Sequence, residues 1–335
     1  IDLLGKKPIQ MINWNSEFFS INNNTPNIKL SNNGIRTEKS RKLGNTKKHN
    51  NFLIGSDGNI ISYDHNGVIF LYSPKLEKKI FEFNFYKKQF KKYNKIIYLT
   101  LNDNIVYAAD NLGYLYALDI KNQKLLWAKN FGIPFRSNIH IHEKQIFLAN
   151  QDNTVFGIKA ENGLKNLEFS TTQTPIKSSF VNNLGLDNDK NLYFLNTSGE
   201  LYSINYENEN INWVVNLNSL SLSVDLNIFD GTPLVIKDDS IFVSTKNSFV
   251  KFSLINAQKI WIKPIANLLK PVIVGNYAFL ATTNKLIICQ NIDSGEIIWS
   301  SNLDNLLEIK EFRSRPDLSG LALRLPPRQS SLVAE

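Results

Sequence analysis

Cysteine is almost missing from this chain: Cys289 is the single one in 335 residues. That excludes a disulfide framework, a cysteine-rich zinc site and haem attachment through paired cysteines. No apolar run reaches 18 residues, so no segment is long enough to cross a bilayer as a helix. Arginine is scarce, at 7 of the 38 basic residues. Readers of nucleic-acid bases depend on its two-pronged hydrogen bonding, so the net charge of +8 does not point to that partner. Histidine is limited to His49, His65, His140 and His142, which leaves little material for a histidine-dependent triad. There is no Gly-x-Ser-x-Gly elbow and no phosphate-cradling glycine loop. The chain begins at Ile1 with no basic stretch leading into an apolar one, so a secretion signal is absent from this stretch rather than excluded for the protein.

The positive charge is local. Residues 1–50 carry nine basic against three acidic side chains and residues 51–95 eight against four, whereas residues 96–310 carry 17 against 20. Asparagine is abundant, at 45 residues, which reads as the codon bias of an A/T-rich genome and not as a function. The Lys/Asn-rich run from Asn22 to Asn51 follows Trp14 and an apolar patch, Phe18 to Ile21. Residues 1–49 therefore read as a partial first unit carrying an insert or a disordered linker. At the other end the composition changes abruptly. Residues 311–335 hold four of the seven arginines and three prolines. This stretch reads as a cloning, sequencing or read-through scar, the alternative being a native unpaired tail, and residues 304–335 are set apart from the fold.

Between the two ends stands a repeat. In IVYAADNLGYLYALDIKNQKLLW, residues 105–127, a strand-like run meets a glycine turn, a second strand follows, then a polar turn and a third strand ending at Trp127. The pattern recurs with anchors at Phe81, Trp127, Leu167, Trp213, Trp261 and Trp299. Fourteen residues before them stand Gly67, Gly113, Asn153, Gly199, Asn247 and Lys285, five of which are of the types that tolerate positive φ. Ahead of each turn lies a β-branched or aromatic run, such as Ile105–Tyr107 or Tyr277–Leu280, and a further strand such as Val272–Val274 is expected before it. Four short antiparallel strands in each repeat of about 44 residues mark an all-β chain, a β-propeller with six clear blades over residues 50–303 and seven or eight in the full-length protein. One small sheet cannot bury its own faces, whereas blades stacked round an axis bury both. The anchor tryptophans read as the wedges between them.

The run Tyr107-x-Ala109, Gly113-x-Leu115-Tyr116-Ala117-Leu118-Asp119 and Lys124-x-x-Trp127 resembles the PQQ-type propeller repeat. Within that class the plain repeats are similar to the BamB-type lipoprotein family more than to the quinoprotein dehydrogenases. The latter are longer, bind pyrroloquinoline quinone with calcium, and often carry a vicinal cysteine pair that the lone Cys289 excludes. The resemblance implies a non-enzymatic scaffold at the periplasmic face of the bacterial outer membrane, without a cofactor. Its implied partners are the barrel subunit of the outer-membrane assembly machinery and unfolded outer-membrane clients, held on loops and by strand addition. In that family the loops leaving middle-blade anchors contact the barrel subunit. Asp225 and Asp230, before Gly231-Thr232-Pro233, match its acidic loop, while STTQTPIKSS at 170–179 lacks the arginine of its companion loop. Ordinary turn chemistry is the simpler reading of the two aspartates. A fragment of a quinone-dependent dehydrogenase and a ligand-sensing propeller are the alternatives.

Other groupings stay open. Arg136, the one arginine between 41 and 313, fits a partner carboxylate or an interblade ion pair. His140 and His142 share one strand face, as a polar face or as half of a metal site. Lys87, Lys88, Lys91, Lys92 and Lys95 alternate with Phe85, Tyr86, Phe90 and Tyr93, as in a solvated extension or an anionic membrane contact.

Overall fold

Runs of β-branched and aromatic residues a few positions long, cut by residues that accept turn geometry, can only pair with their neighbours. The computed structural model describes residues 7–11, 13–29, 43, 51–86, 90, 92–173, 179–220 and 229–303. Six four-stranded antiparallel sheets occupy most of them: β1–β4 (53–84), β5–β8 (97–130), β9–β12 (140–170), β13–β16 (183–216), β17–β20 (231–263) and β21–β24 (272–302). In each sheet the strands follow chain order from the inside out. The expected second strands appear as β2, β6, β10, β14, β18 and β22, and Val272–Val274 is β21. The strand carrying Trp127, expected to end there, runs on to Asn130.

The inner strands are apolar on both faces, and successive residues serve different neighbours. In β6, Val106 and Ala108 pack toward the first sheet, while Tyr107 and Ala109 pack toward the third. In β14, Leu192 and Phe194 face the third sheet, and Tyr193 and Leu195 the fifth. Five apolar clusters thus join consecutive sheets from first to sixth. A buried Leu, Ile or Phe contributes roughly 1.5–3 kcal/mol, so these interfaces dominate the stability. The outermost strands have one face in solvent, as in β16 with its alternating exposure.

Each anchor sits opposite a β-bulge. Trp127 pairs with Ala117 and Leu125 with Leu118, which leaves Leu126 unpaired, and the same slip recurs at Phe81, Leu167, Trp213, Trp261 and Trp299. The extra residue turns the strand locally and aims the anchor at the next sheet. Four residues before the anchors, Glu77, Gln123, Gly163, Glu209, Ala257 and Gly295 all have positive φ.

Of the turn positions fourteen residues before the anchors, Gly67, Gly113, Asn153, Gly199 and Lys285 adopt positive φ, but Asn247 does not. The cause lies three residues upstream. Asp64, Asp110, Asn150, Asn196 and Thr282 each accept backbone N–H groups from their own turn through the side chain. The fifth sheet has Ser244 there, and its hydroxyl instead accepts from Asn267 Nδ2 at 2.6 Å.

Candidate functional site

Antiparallel order puts every loop from an outermost strand to the next innermost strand at one end of the molecule, beside the turns between second and third strands. Hydrogen bonds tie the two together: Phe131 N to Gly113 O and Leu217 N to Gly199 O, both 2.8 Å. The loops are further held by aromatic side chains turned inward. Phe135 is buried among Phe131 and Phe156, at centroid distances of 5.2 and 6.1 Å. Phe229 is buried against Phe180, edge to face at 5.0 Å. A Cβ on Gly199 would lie 2.6 Å from the Phe229 ring, so that turn must be glycine for the aromatic to seat.

The next residue along each loop is a candidate from the sequence. Arg136 follows Phe135 and is half-buried, its N–H bound to Ala149 O at 3.0 Å. Burial pushes the neighbouring Tyr98 phenol up to about 12, and Arg136 pulls it down in turn. Asp230 follows Phe229 and is exposed at the mouth of β17. Both stand at the same end, on loops two sheets apart. Asp225 lies outside the described residues. The pinning aromatics are missing from the sequence reading. Their signal is an apolar ring just before a polar side chain, in FGIPFRSN and NIFDGTP.

The basic loop after β4 is built differently from its appearance in sequence. Phe85 stacks on Tyr116 at 4.5 Å, and the Tyr86 hydroxyl donates to Asp110 Oδ2 at 2.7 Å. Phe90 lies edge-on to Tyr86 and Tyr114. Burial raises the Tyr86 phenol and the Asp110 carboxyl. Lys95 is buried, with Nζ on Phe90 O and over the Tyr86 ring. Only Tyr93 among these aromatics is exposed. Lys87, Lys88 and Lys91 lie outside the described residues, and Lys92 is exposed.

Three anchor indoles reach across to the following sheet. Trp127 Nε1 donates to Ala160 O at 2.9 Å, and Trp213 and Trp261 donate to Leu254 O and Ile292 O at 3.0 Å. Phe81 and Leu167 are buried at the same step of their repeats, and Trp299 lies 6.4 Å from Phe279 in its own sheet. Cys289 is buried opposite Trp299, and burial raises its thiol pKa. Its position is that of Ala117, Gly157 and Ser203, and of the larger Leu71 and Lys251 in the first and fifth sheets.

His140 and His142 do not act together. His140 is fully buried, its Nε2 3.0 Å from Asn23 Oδ1 and 2.9 Å from Leu184 O. Nε2 also lies 2.8 Å from the Asn138 amide nitrogen, so the ring tautomer sets which of these contacts donates, and burial lowers the His140 pKa to about 4. His142 is half-buried. Among the described residues no three His, Cys, Asp or Glu side chains converge as a metal site. Asn23 belongs to a described N-terminal segment that lies against the sheets. Ile9 and Ile28 pair by backbone hydrogen bonds, and Trp14 pairs with Ile54. Lys270 Nζ donates to Asn23 O at 2.7 Å and lies over Phe18, with its pKa lowered to about 8 by burial. A cleft of about 290 Å³ opens beside this segment, between Phe19, Asn22, Asn24, Lys237 and Gly275.

Six bulged four-stranded sheets, packed face to face in sequence from the first to the sixth, define a β-propeller with one end of pinned interblade loops. The chain belongs to the family described as outer membrane protein assembly factor BamB, whose model matches residues 71–301. Among solved structures it is similar to BamB from Moraxella catarrhalis, with a TM-score of 0.61 and 11% identity over 73% of each chain. It is also similar to the WD40 repeats of RRP9, with a TM-score of 0.54 and 8% identity over 75% of this chain and 80% of that one. At such identities these likenesses show the propeller fold. No curated protein matches the sequence.

Proposed function

We propose that this propeller is a non-catalytic scaffold in the assembly of outer-membrane β-barrel proteins, working at the periplasmic face of that membrane. The family match over residues 71–301 carries the reading. The loops support it chemically. Buried Phe135 and Phe229 hold Arg136 and Asp230 at one end of the ring, so a partner meets placed charges at little ordering cost. The barrel subunit of the assembly machinery is the partner for that end. The outermost strands keep a free edge with exposed apolar residues, among them Ile211, Val214, Ile260 and Ile297, which suits the transient pairing of unfolded clients. The basic stretch after β4, of which Lys92 is described and exposed, would meet an anionic membrane surface.

Pull-down of the barrel subunit from an extract of the source organism tests the reading. Wild-type chain is expected to retain it, and Asp230→Arg to weaken retention at least tenfold by reversing an exposed charge. Equal retention by the variant would remove Asp230 from the contact, and no retention by either protein would remove the assembly role. Addition of pyrroloquinoline quinone with calcium is expected to leave the protein colourless after gel filtration. A stoichiometric bound chromophore would defeat the scaffold reading.

A further inference from the structure

The eleven residues from Trp14 to Asn24 touch the innermost strand of every described sheet. Trp14 exchanges backbone hydrogen bonds with Ile54 of β1, at 2.8 and 2.9 Å. Asn15 O accepts from Leu101 N of β5 at 2.7 Å. Asn23 Oδ1 meets His140 of β9, and its Nδ2 donates to Leu184 O of β13 at 2.7 Å. Asn22 O accepts from Ile236 N of β17 at 2.9 Å. Asn24 gives Nδ2 to Ile273 O of β21 at 3.0 Å and accepts from Ile273 N at 3.2 Å. A segment that reaches six strands arranged round one axis must lie across that axis.

Two further observations make this more than a loop resting on a surface. Asn23 is fully buried and holds positive φ, with its amide nitrogen donating to Asn183 Oδ1 and Leu184 O and its amide oxygen 3.0 Å from His140 Nε2. The pairing of Ile9 with Ile28 closes the segment on itself. In addition, the five apolar clusters run from first sheet to sixth, and among the described residues none joins the sixth to the first. Between those two sheets the described hydrogen bonds run through Trp14 and Asn24.

We propose that the inner strands form a peptide-binding site on the propeller axis, and that the chain fills it in cis with residues 14–24 as a clasp that closes the ring. The ligand class is an extended polar peptide: its main-chain carbonyls meet the inner-strand N–H groups of Leu101, Leu186 and Ile236, and one asparagine reads Leu184 and His140. The axis is therefore unavailable to a small molecule while the clasp is seated.

The test uses the full chain with an engineered protease site placed between residues 31 and 49. After cutting, the N-terminal fragment is expected to co-elute with the propeller on gel filtration in native buffer, although no covalent bond remains. A labelled synthetic peptide of residues 7–29 is expected to exchange into the cut protein. Asn23→Ala is expected to speed loss of the fragment at least tenfold, with the far-ultraviolet spectrum of the body unchanged. Immediate separation of the wild-type fragment would overturn the proposal, as would equal retention in Asn23→Ala. Should Asn23→Ala fail to fold, Asn24→Ala supplies the same comparison through β21 alone. The outcome is independent of the barrel-subunit pull-down, since none of these residues lies on the Asp230 loop.

Discussion

Valine at position 163 is expected to cost about 3–4 kcal/mol, the sum of a β-branched residue at positive φ and an overpacked contact. Gly163 has φ +70°, and a Cβ there would lie 2.7 Å from Cε3 of Trp127. The indole of one blade rests on the turn of the next, and only a hydrogen fits beneath it. The repeat itself supplies the comparison. Trp213 and Trp261 are followed by Ala257 and Gly295 at the equivalent turn, whereas Phe81 and Leu167 are followed by Gln123 and Glu209. Large anchor goes with small turn residue, and small anchor with large. Trp127→Leu with Gly163→Val is accordingly expected to be less destabilised than the two single changes added, by at least about 1 kcal/mol. Urea unfolding of the four proteins measures this. Strict additivity would mean that ring and turn do not meet in solution.

These spacings explain how much of the molecule is legible in sequence. The turn, the bulge partner and the anchor stand at fixed separations because one hydrogen-bonded hairpin carries all three, so strand count, strand order and blade type follow from composition at fixed steps. Asn247 and Lys285 mark the limit. The sequence favours asparagine for positive φ, yet the turn cap decides, and Ser244 spends its hydroxyl on Asn267. The loop end is half legible. Asp230 and Arg136 stand out by charge, but Phe135 and Phe229, which place them, fall at different distances from their anchors because the loops differ in length. The axial segment is not legible at all. Asn23 is one of 45 asparagines, and its partner Leu184 lies 161 residues away. No periodicity encodes a contact made once.

Acid is expected to weaken the fold through His140. Its folded pKa of about 4 lies below the usual 6.5, so the unfolded chain takes up this proton first. The stability that His140 contributes is complete above about pH 6.5 and falls as pH drops toward 4, by about 3 kcal/mol in all. Glu17 and Asp110, whose pKa values are raised by burial, titrate in the opposite sense. The comparison is therefore made against His140→Gln, which keeps an amide donor and does not titrate. Wild type is expected to lose about 3 kcal/mol more than the variant between pH 7.5 and pH 4. Parallel curves would show that the imidazole is hydrated rather than enclosed.

The clasp also sets an order of events during synthesis. Asn24 is bound to Ile273, 249 residues later in the chain. At roughly 5–20 residues per second, the N-terminal segment waits about 10–50 seconds before its last partner strand is made. Each blade can pack on its predecessor as it emerges, because those contacts are close in sequence. Residues 14–24 are thus among the last parts of the fold to find their place. The clasp carries Trp14, Phe18, Phe19 and Ile21, so its apolar surface stays uncovered while the ring is built.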